Sequence, residues 1–250
     1  MNRTRNLSNG SISNHLIKLA VPAGIGMLFT TLYNVVDVFF AGLIGTDAQA
    51  GLAISFQAFF IFITFGFGLS AAMAALVGNA TGAKDLNKAS MIARKGIGFG
   101  LLVSMLLIIA ASWIGPLLIS LISIEGAYRD MGTQNFNILV IAIPSFVMAF
   151  GINGLLQSQG DTISMQHAQI GAFFANVGLN PLLVFGIPGL WNGMGFDGIA
   201  VATVISQTGV VMYVGKQLFK SELMTGWQLA NLTPNLSLIH ISEPTRRYSI

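Results

Sequence analysis

Residues 48–83 read AQAGLAISFQAFFIFITFGFGLSAAMAALVGNATGA, without a single Asp, Glu, Lys or Arg. A helix crosses the hydrocarbon core of a bilayer with about 20 apolar residues, so this run sets the environment of the chain before any motif is sought. Five more charge-free windows accompany it, at 19–36, 96–124, 131–160, 162–196 and 198–215. Alternating barrel patterning is absent, which leaves the helix as the form that satisfies its own backbone in lipid. The pattern predicts an all-α integral membrane bundle of six spans, at about 16–41, 53–77, 96–121, 135–157, 167–187 and 198–219. The first span is too long for a cleaved signal peptide and lacks a small-residue cleavage site, so it is expected to stay attached.

Composition points the same way. Of the 250 residues 54% are apolar and 8% charged, against about 25% charged in a soluble domain. The absence of cysteine removes disulfide scaffolds, thiolate zinc sites and thiol nucleophiles together. The three histidines, His15, His167 and His240, are scattered. A net charge of +3 is too thin to track phosphates, so no nucleic-acid partner is expected. No Walker loop, His-Glu-x-x-His or Gly-x-Ser-x-Gly is present, and Gly-Ile-Gly-Phe-Gly at 96–100 lacks the third glycine of a dinucleotide fingerprint. The chain is therefore not expected to be an enzyme, to have catalytic residues or to carry a cofactor.

The basic residues give an orientation. Arg3, Arg5 and Lys18 precede span one, Lys84, Lys88, Arg94 and Lys95 separate spans two and three, and Lys216, Lys220, Arg246 and Arg247 follow span six. The loops of the opposite face hold only Arg129. Eleven against one is a strong positive-inside bias. It predicts both termini in the cytoplasm, with residues 1–15 as a cytoplasmic amino terminus, in a cell inner membrane. The pairs Gly96/Gly100 and Gly68/Ala72 have the spacing that lets helices approach closely in lipid. Pro22, Pro144 and Pro181 fall in or at the edges of spans, where a proline allows a bend.

Asp37 is the one acidic residue well inside a span. A carboxylate there costs roughly 2.5–3.5 kcal/mol on insertion scales, so it should face a cavity or a partner. Thr30 and Asn34 lie seven and three residues before it and form a polar stripe with it. Protons and sodium would compete for such a group, although a structural aspartate bonded to a neighbouring helix fits the same residues. Three more polar pairs have a spacing of four, namely Asn153/Gln157, Asn176/Asn180 and Thr203/Gln207, each on one helix face. Their oxygens suit a hard cation, and they equally suit hydrogen bonding between helices.

Several runs carry a resemblance. Leu-Ala-Val-Pro (19–22), Leu-Tyr-Asn-Val-Val-Asp-Val-Phe-Phe-Ala-Gly (32–42), Gly-Asp-Thr (160–162), Asn-Val-Gly-Leu-Asn-Pro-Leu-Leu-Val-Phe-Gly (176–186) and Gly-Ile-Ala-Val-Ala-Thr-Val-Ile-Ser-Gln (198–207) resemble, in order and spacing, the multidrug and toxic compound extrusion (MATE) family. The likeness runs from about residue 13 to 220 and covers the amino-terminal lobe of a twelve-helix transporter. It implies a bacterial or archaeal antiporter exporting drugs or organic cations in exchange for protons or sodium, here as an amino-terminal half lacking its carboxy-terminal lobe. It implies Asp37, Asn34, Asn176, Asn180 and Thr203 as cation-coupling residues, with sodium as the one metal that Asp37, Asn176, Asn180 and Thr203 could hold. Asn153, Gln157 and Gln207 would line the pathway, and Pro22 matches a helix bend. Asn180 departs from the branch with aspartate there, which leaves Asp37 as the one interior carboxylate. A lipid-linked oligosaccharide flippase of the same superfamily would need a basic cavity for pyrophosphate, and the spans hold no mid-helix Lys or Arg. A non-transporting membrane scaffold is the reading from another class.

The lobe is expected over 16–220, with the start of a cytoplasmic inter-lobe linker at 221–235. Residues 236–250, LSLIHISEPTRRYSI, have neither an apolar face nor the length of a span, and resemble translated sequencing-adapter read-through.

Overall fold

The computed structural model describes residues 12–225. The expected amino terminus up to Ser11, the linker from Gly226 and the tail 236–250 lie outside the described residues. Among the described residues, seven α-helices make six spans: α1 (Ile12–Ile44), α2 (Thr46–Gly82), α3 (Leu86–Ile122), α4 (Ala127–Leu139) continued by α5 (Ile143–Ser158), α6 (Ile163–Phe185) and α7 (Asp197–Phe219). All six are long and apolar enough to cross a membrane.

Local chemistry explains the boundaries. α2 and α3 reach 37 residues each, about 55 Å at 1.5 Å per residue, and so outrun the predicted spans. The turn between them is three residues, Ala83–Asp85, and Asp85 caps α3 by accepting the Lys88 N–H at 3.0 Å. The fourth span is not the continuous helix expected over 135–157. Pro144 has no N–H for the Val140 carbonyl, and the chain tightens into a 3-10 turn at Val140–Ala142 before helix resumes. α1 and α6 run through Pro22 and Pro181 without a break in helix, and α3 likewise runs through Pro116.

The fifth span ends at Phe185, two residues before the expected limit. Gly186, at φ 77°, turns the chain into a two-residue hairpin in which Gly186 pairs with Asn192 and Ile187 with Trp191. The chain leaving the hairpin then closes the helix end, as the Met194 and Gly195 N–H groups donate to the Leu183 and Val184 carbonyls at 2.7 and 3.0 Å. Gly-Asp-Thr at 160–162 is a helix start: the Asp161 carboxylate accepts the Ser164 N–H at 2.9 Å and the Ser164 hydroxyl at 2.5 Å.

The helices pack as two groups. α2 lies mainly against α5, α4 and α3, while α1 lies on α6 and α6 on α7. α5 and α7 join the groups, and α1 touches its sequence neighbour α2 only sparsely. The main core centres on Phe59, Phe62, Phe136, Ile143, Val147 and Leu155. Close approach rests on particular glycines. A methyl group on Gly154 would meet the Ser70 backbone carbonyl, and one on Gly96 the Met73 side chain. The expected Gly68/Ala72 contact is not made: Gly68 has open space beside it and both residues are exposed. After α7 a 3-10 turn, Glu222–Met224, folds back on α3, burying Leu223 and Met224, and the Arg94 guanidinium donates to the Thr225 carbonyl. The first residues expected of a linker thus belong to the packed lobe.

Candidate functional site: a buried carboxylate beside an uncharged chamber

Because α1 packs on α6, and α6 on α7, three polar residues far apart in sequence converge on Asp37. Its Oδ1 accepts hydrogen bonds from the Asn176 and Asn180 amides, both at 2.8 Å, and its Oδ2 accepts the Thr203 hydroxyl at 3.3 Å. The Asn180 amide also donates to Asn176 Oδ1 at 3.0 Å. Asp37 is 6% exposed, and Asn176 and Asn180 are fully enclosed. All three donors are neutral. A carboxylate in such a shell is solvated by dipoles alone and can take up a proton or a small cation without first breaking an ion pair. Asn180 Oδ1 is buried without a hydrogen-bond partner, so an acceptor oxygen is already at hand within the cluster.

Two residues of this cluster escaped the sequence reading. The Tyr33 hydroxyl faces Thr203, Ser206 and Asn176, and neither it nor the Ser206 hydroxyl meets a partner at hydrogen-bonding geometry. The signal for both was helical spacing, since Tyr33 is four residues before Asp37 and Ser206 three after Thr203.

The predicted stripe on α1 divides. Thr30 spends its hydroxyl on the Gly26 carbonyl of its own helix at 3.0 Å and borders an inner chamber. Asn34 does not join the donors around Asp37. Half-buried, it borders a different space, between α1 and α2, which Asp37 borders as well. Asn153, Gln157 and Gln207 all border the inner chamber, a cavity of about 660 Å³. Its walls add Gln166 and Gln169 from α6 and the rings of Phe67, Phe146 and Phe150, with no charged side chain among them. The two glutamines of α6, three apart, were legible as a polar face and were missed. Pro22 lies within the helical run of α1, one residue before Ala23 on the chamber wall. Among the described residues there is no group of three or more His, Cys, Asp or Glu able to hold a metal ion.

A six-span bundle holding a carboxylate in neutral company beside an uncharged chamber of carboxamides and phenylalanine rings defines a polytopic membrane protein of the transporter class. The chain belongs to the MatE family, whose profile matches residues 22–182. Among its relatives, the "FAD transporter" of Shewanella oneidensis is 26% identical over 246 residues, covering 95% of this chain and 53% of the relative. The "Probable multidrug resistance protein NorM" of Bradyrhizobium diazoefficiens is 26% identical over 213 residues, covering 82% and 45%. A MOP-superfamily transporter from Pyrococcus furiosus has the same fold, with a TM-score of 0.82 at 22% identity, over 92% of this chain and 50% of that one. The chain spans about half the length of the curated relatives it matches. It corresponds to one six-helix lobe of a multi-pass membrane transporter, and not to an enzyme.

Proposed function

We propose that this lobe belongs to an antiporter that couples entry of protons or sodium at Asp37 to export of organic cations through the adjoining chamber. The observation that carries this reading is the buried carboxylate of Asp37, held by the neutral side chains of Asn176, Asn180 and Thr203. Nothing in that shell carries a fixed positive charge, so the incoming cation supplies the neutralising one. Asn176, Asn180 and Thr203 serve as the coupling partners of Asp37, and Asn34 as a polar neighbour on the side of α2. If sodium binds, Asp37, Asn176, Asn180 and Thr203 hold it, each amide turning its oxygen inward.

The chamber supports an organic cation as cargo. Its walls combine carboxamides of Asn153, Gln157 and Gln207 with phenylalanine rings, whose faces attract cations and stack on flat apolar bodies. One relative is named for FAD transport, and its diphosphate would call for basic groups. The absence of Lys and Arg from the chamber wall weighs against an anionic cargo, and against a pyrophosphate-linked lipid for the same reason. In this reading the lobe sits in a cell inner membrane with both termini on the cytoplasmic side, the carboxy-terminal lobe is its partner, and Pro22 is the site where α1 bends.

The test is transport by the full-length protein in proteoliposomes. An imposed proton or sodium gradient should drive a fluorescent organic cation against its own gradient. Transport indifferent to both gradients would refute ion coupling, and transport of anionic substrates alone would refute the cargo assignment.

A further inference from the structure

Asp37 does not border the 660 Å³ chamber. It borders a second cavity of about 450 Å³, between α1 and α2, which it shares with Asn34, Gln49, Ala53 and Gln57. We infer that this α1–α2 cleft is the path by which the coupling cation reaches Asp37 from the face bearing the α1–α2 turn, separate from the chamber that takes the organic cargo. This inference rests on the coupling role proposed for Asp37 and assigns its access route.

Three observations carry it. The first is depth. Gln49 sits in the first turn of α2, whereas Gln57 lies eleven residues from the start of α2 and Asn34 ten from the end of α1. At 1.5 Å per residue the last two are about 15 Å from those helix ends, and both lie inside the expected spans 53–77 and 16–41. Gln57 is exposed and Asn34 half-buried at that depth. Carboxamides there are poorly solvated by lipid and well solvated by water, so they are the polar points of a cleft otherwise walled by Val38, Leu52, Phe56 and Phe60. They form steps of neutral oxygen from rim to carboxylate.

The second is packing. α1 lies on α6 and touches α2 sparsely, so the cleft is a consequence of how the two helix groups meet. At its mouth the Gln49 side chain crosses from α2 and donates to the Val38 carbonyl at 3.3 Å. It can do so because residue 42, one turn beyond Val38, is glycine; a methyl group there would meet the Gln49 amide at 2.5 Å. The mouth of the cleft is thus held by one long contact next to Asp37 itself.

The third is charge. The loops and first helical turns on the side of the α1–α2 turn carry Asp47, Glu125, Asp130 and Asp197 against the single base Arg129. Asp47 stands in the first turn of α2, at the rim. A net negative rim raises the local concentration of small cations before they enter.

The test uses cysteine labelling of the full-length protein with any cysteine outside residues 1–250 replaced by serine, since these residues contain none. Ala53→Cys should react in intact cells with a membrane-impermeant cationic methanethiosulfonate, and faster than with its anionic counterpart. Labelling should abolish gradient-driven transport while equilibrium binding of a fluorescent organic cation persists. Ala74→Cys, on the chamber wall, should show the opposite, losing dye binding on labelling. Gln57→Leu should raise the cation concentration for half-maximal transport and leave dye affinity unchanged. An unreactive Ala53→Cys, or a labelled one that transports normally, overturns the route when Asp37→Asn is uncoupled in the same assay. Normal transport by Asp37→Asn instead overturns the coupling role itself, so the two failures are told apart.

Discussion

Replacing Asp37 by asparagine separates coupling from folding. The geometry allows the substitution with little rearrangement. The new amide oxygen can take the place of Oδ1 and accept from Asn176 and Asn180, while its nitrogen takes the place of Oδ2 and donates to the Thr203 hydroxyl, which accepts as well as it donates. Three hydrogen bonds to a charged acceptor, about 1.5–3 kcal/mol each, become neutral ones of about 0.5–1.5 kcal/mol, a loss of about 3–4.5 kcal/mol in all. Against this stands relief from burying an ion, an effective penalty of several kcal/mol. The two terms are similar in size and opposite in sign, so Asp37→Asn should be made at normal level and melt at or above the wild-type temperature. Asp37→Ala is the contrast: it strands three buried donors at about 1–3 kcal/mol each and should deplete the protein. The assay is immunoblotting of membranes, thermal melting of the purified full-length protein, and export of a fluorescent organic cation. Asp37→Asn is expected to fold and to lose export, because an amide can neither release a proton nor neutralise sodium. Wild-type export by a stable Asp37→Asn protein would refute the reasoning, and disappearance of that protein from the membrane would make Asp37 a folding residue instead.

Reporter fusions after Asn79 and Asp161 should read cytoplasmic and fusions after Asp47 and Asp130 external; reversal at any two would overturn the orientation read from the basic residues. Residues 1–250 expressed alone should confer no export above an empty vector, since the relatives are about twice this length; measured efflux without a dimer in place of the second lobe would refute this. Gly154→Ala drives a methyl group into the Ser70 backbone and should destabilise the lobe by about 1–3 kcal/mol. Gly68→Ala, on an open face, should leave the melting temperature unchanged or raise it; equal effects of the two would contradict the α2–α5 packing.

The sequence alone determined the environment and the number of spans, because the hydrocarbon core imposes one rule on every helix that crosses it. A charge-free run such as 48–83 has no competing reading. It also singled out Asp37, since one carboxylate among apolar residues is conspicuous without any neighbours. Helical spacing paired Asn176 with Asn180 and Thr203 with Gln207, and the resemblance then grouped the first three of these with Asp37. Spacing within one helix says nothing of what a neighbouring helix presents, and that limit accounts for the errors. Asn34 shares a helix face with Asp37 and borders the α1–α2 cleft with it, yet it stands outside the cluster of donors from α6 and α7. Gly68/Ala72 had the right spacing on a face that meets no helix. Thr203 and Gln207 share one face and part company in space, one on the carboxylate and the other on the chamber wall. Only the tertiary structure decided that Asp37 and the chamber occupy different spaces. Which wall a side chain joins depends on how α1, α2 and α6 cross, and many crossings would bury the same apolar stripes equally well.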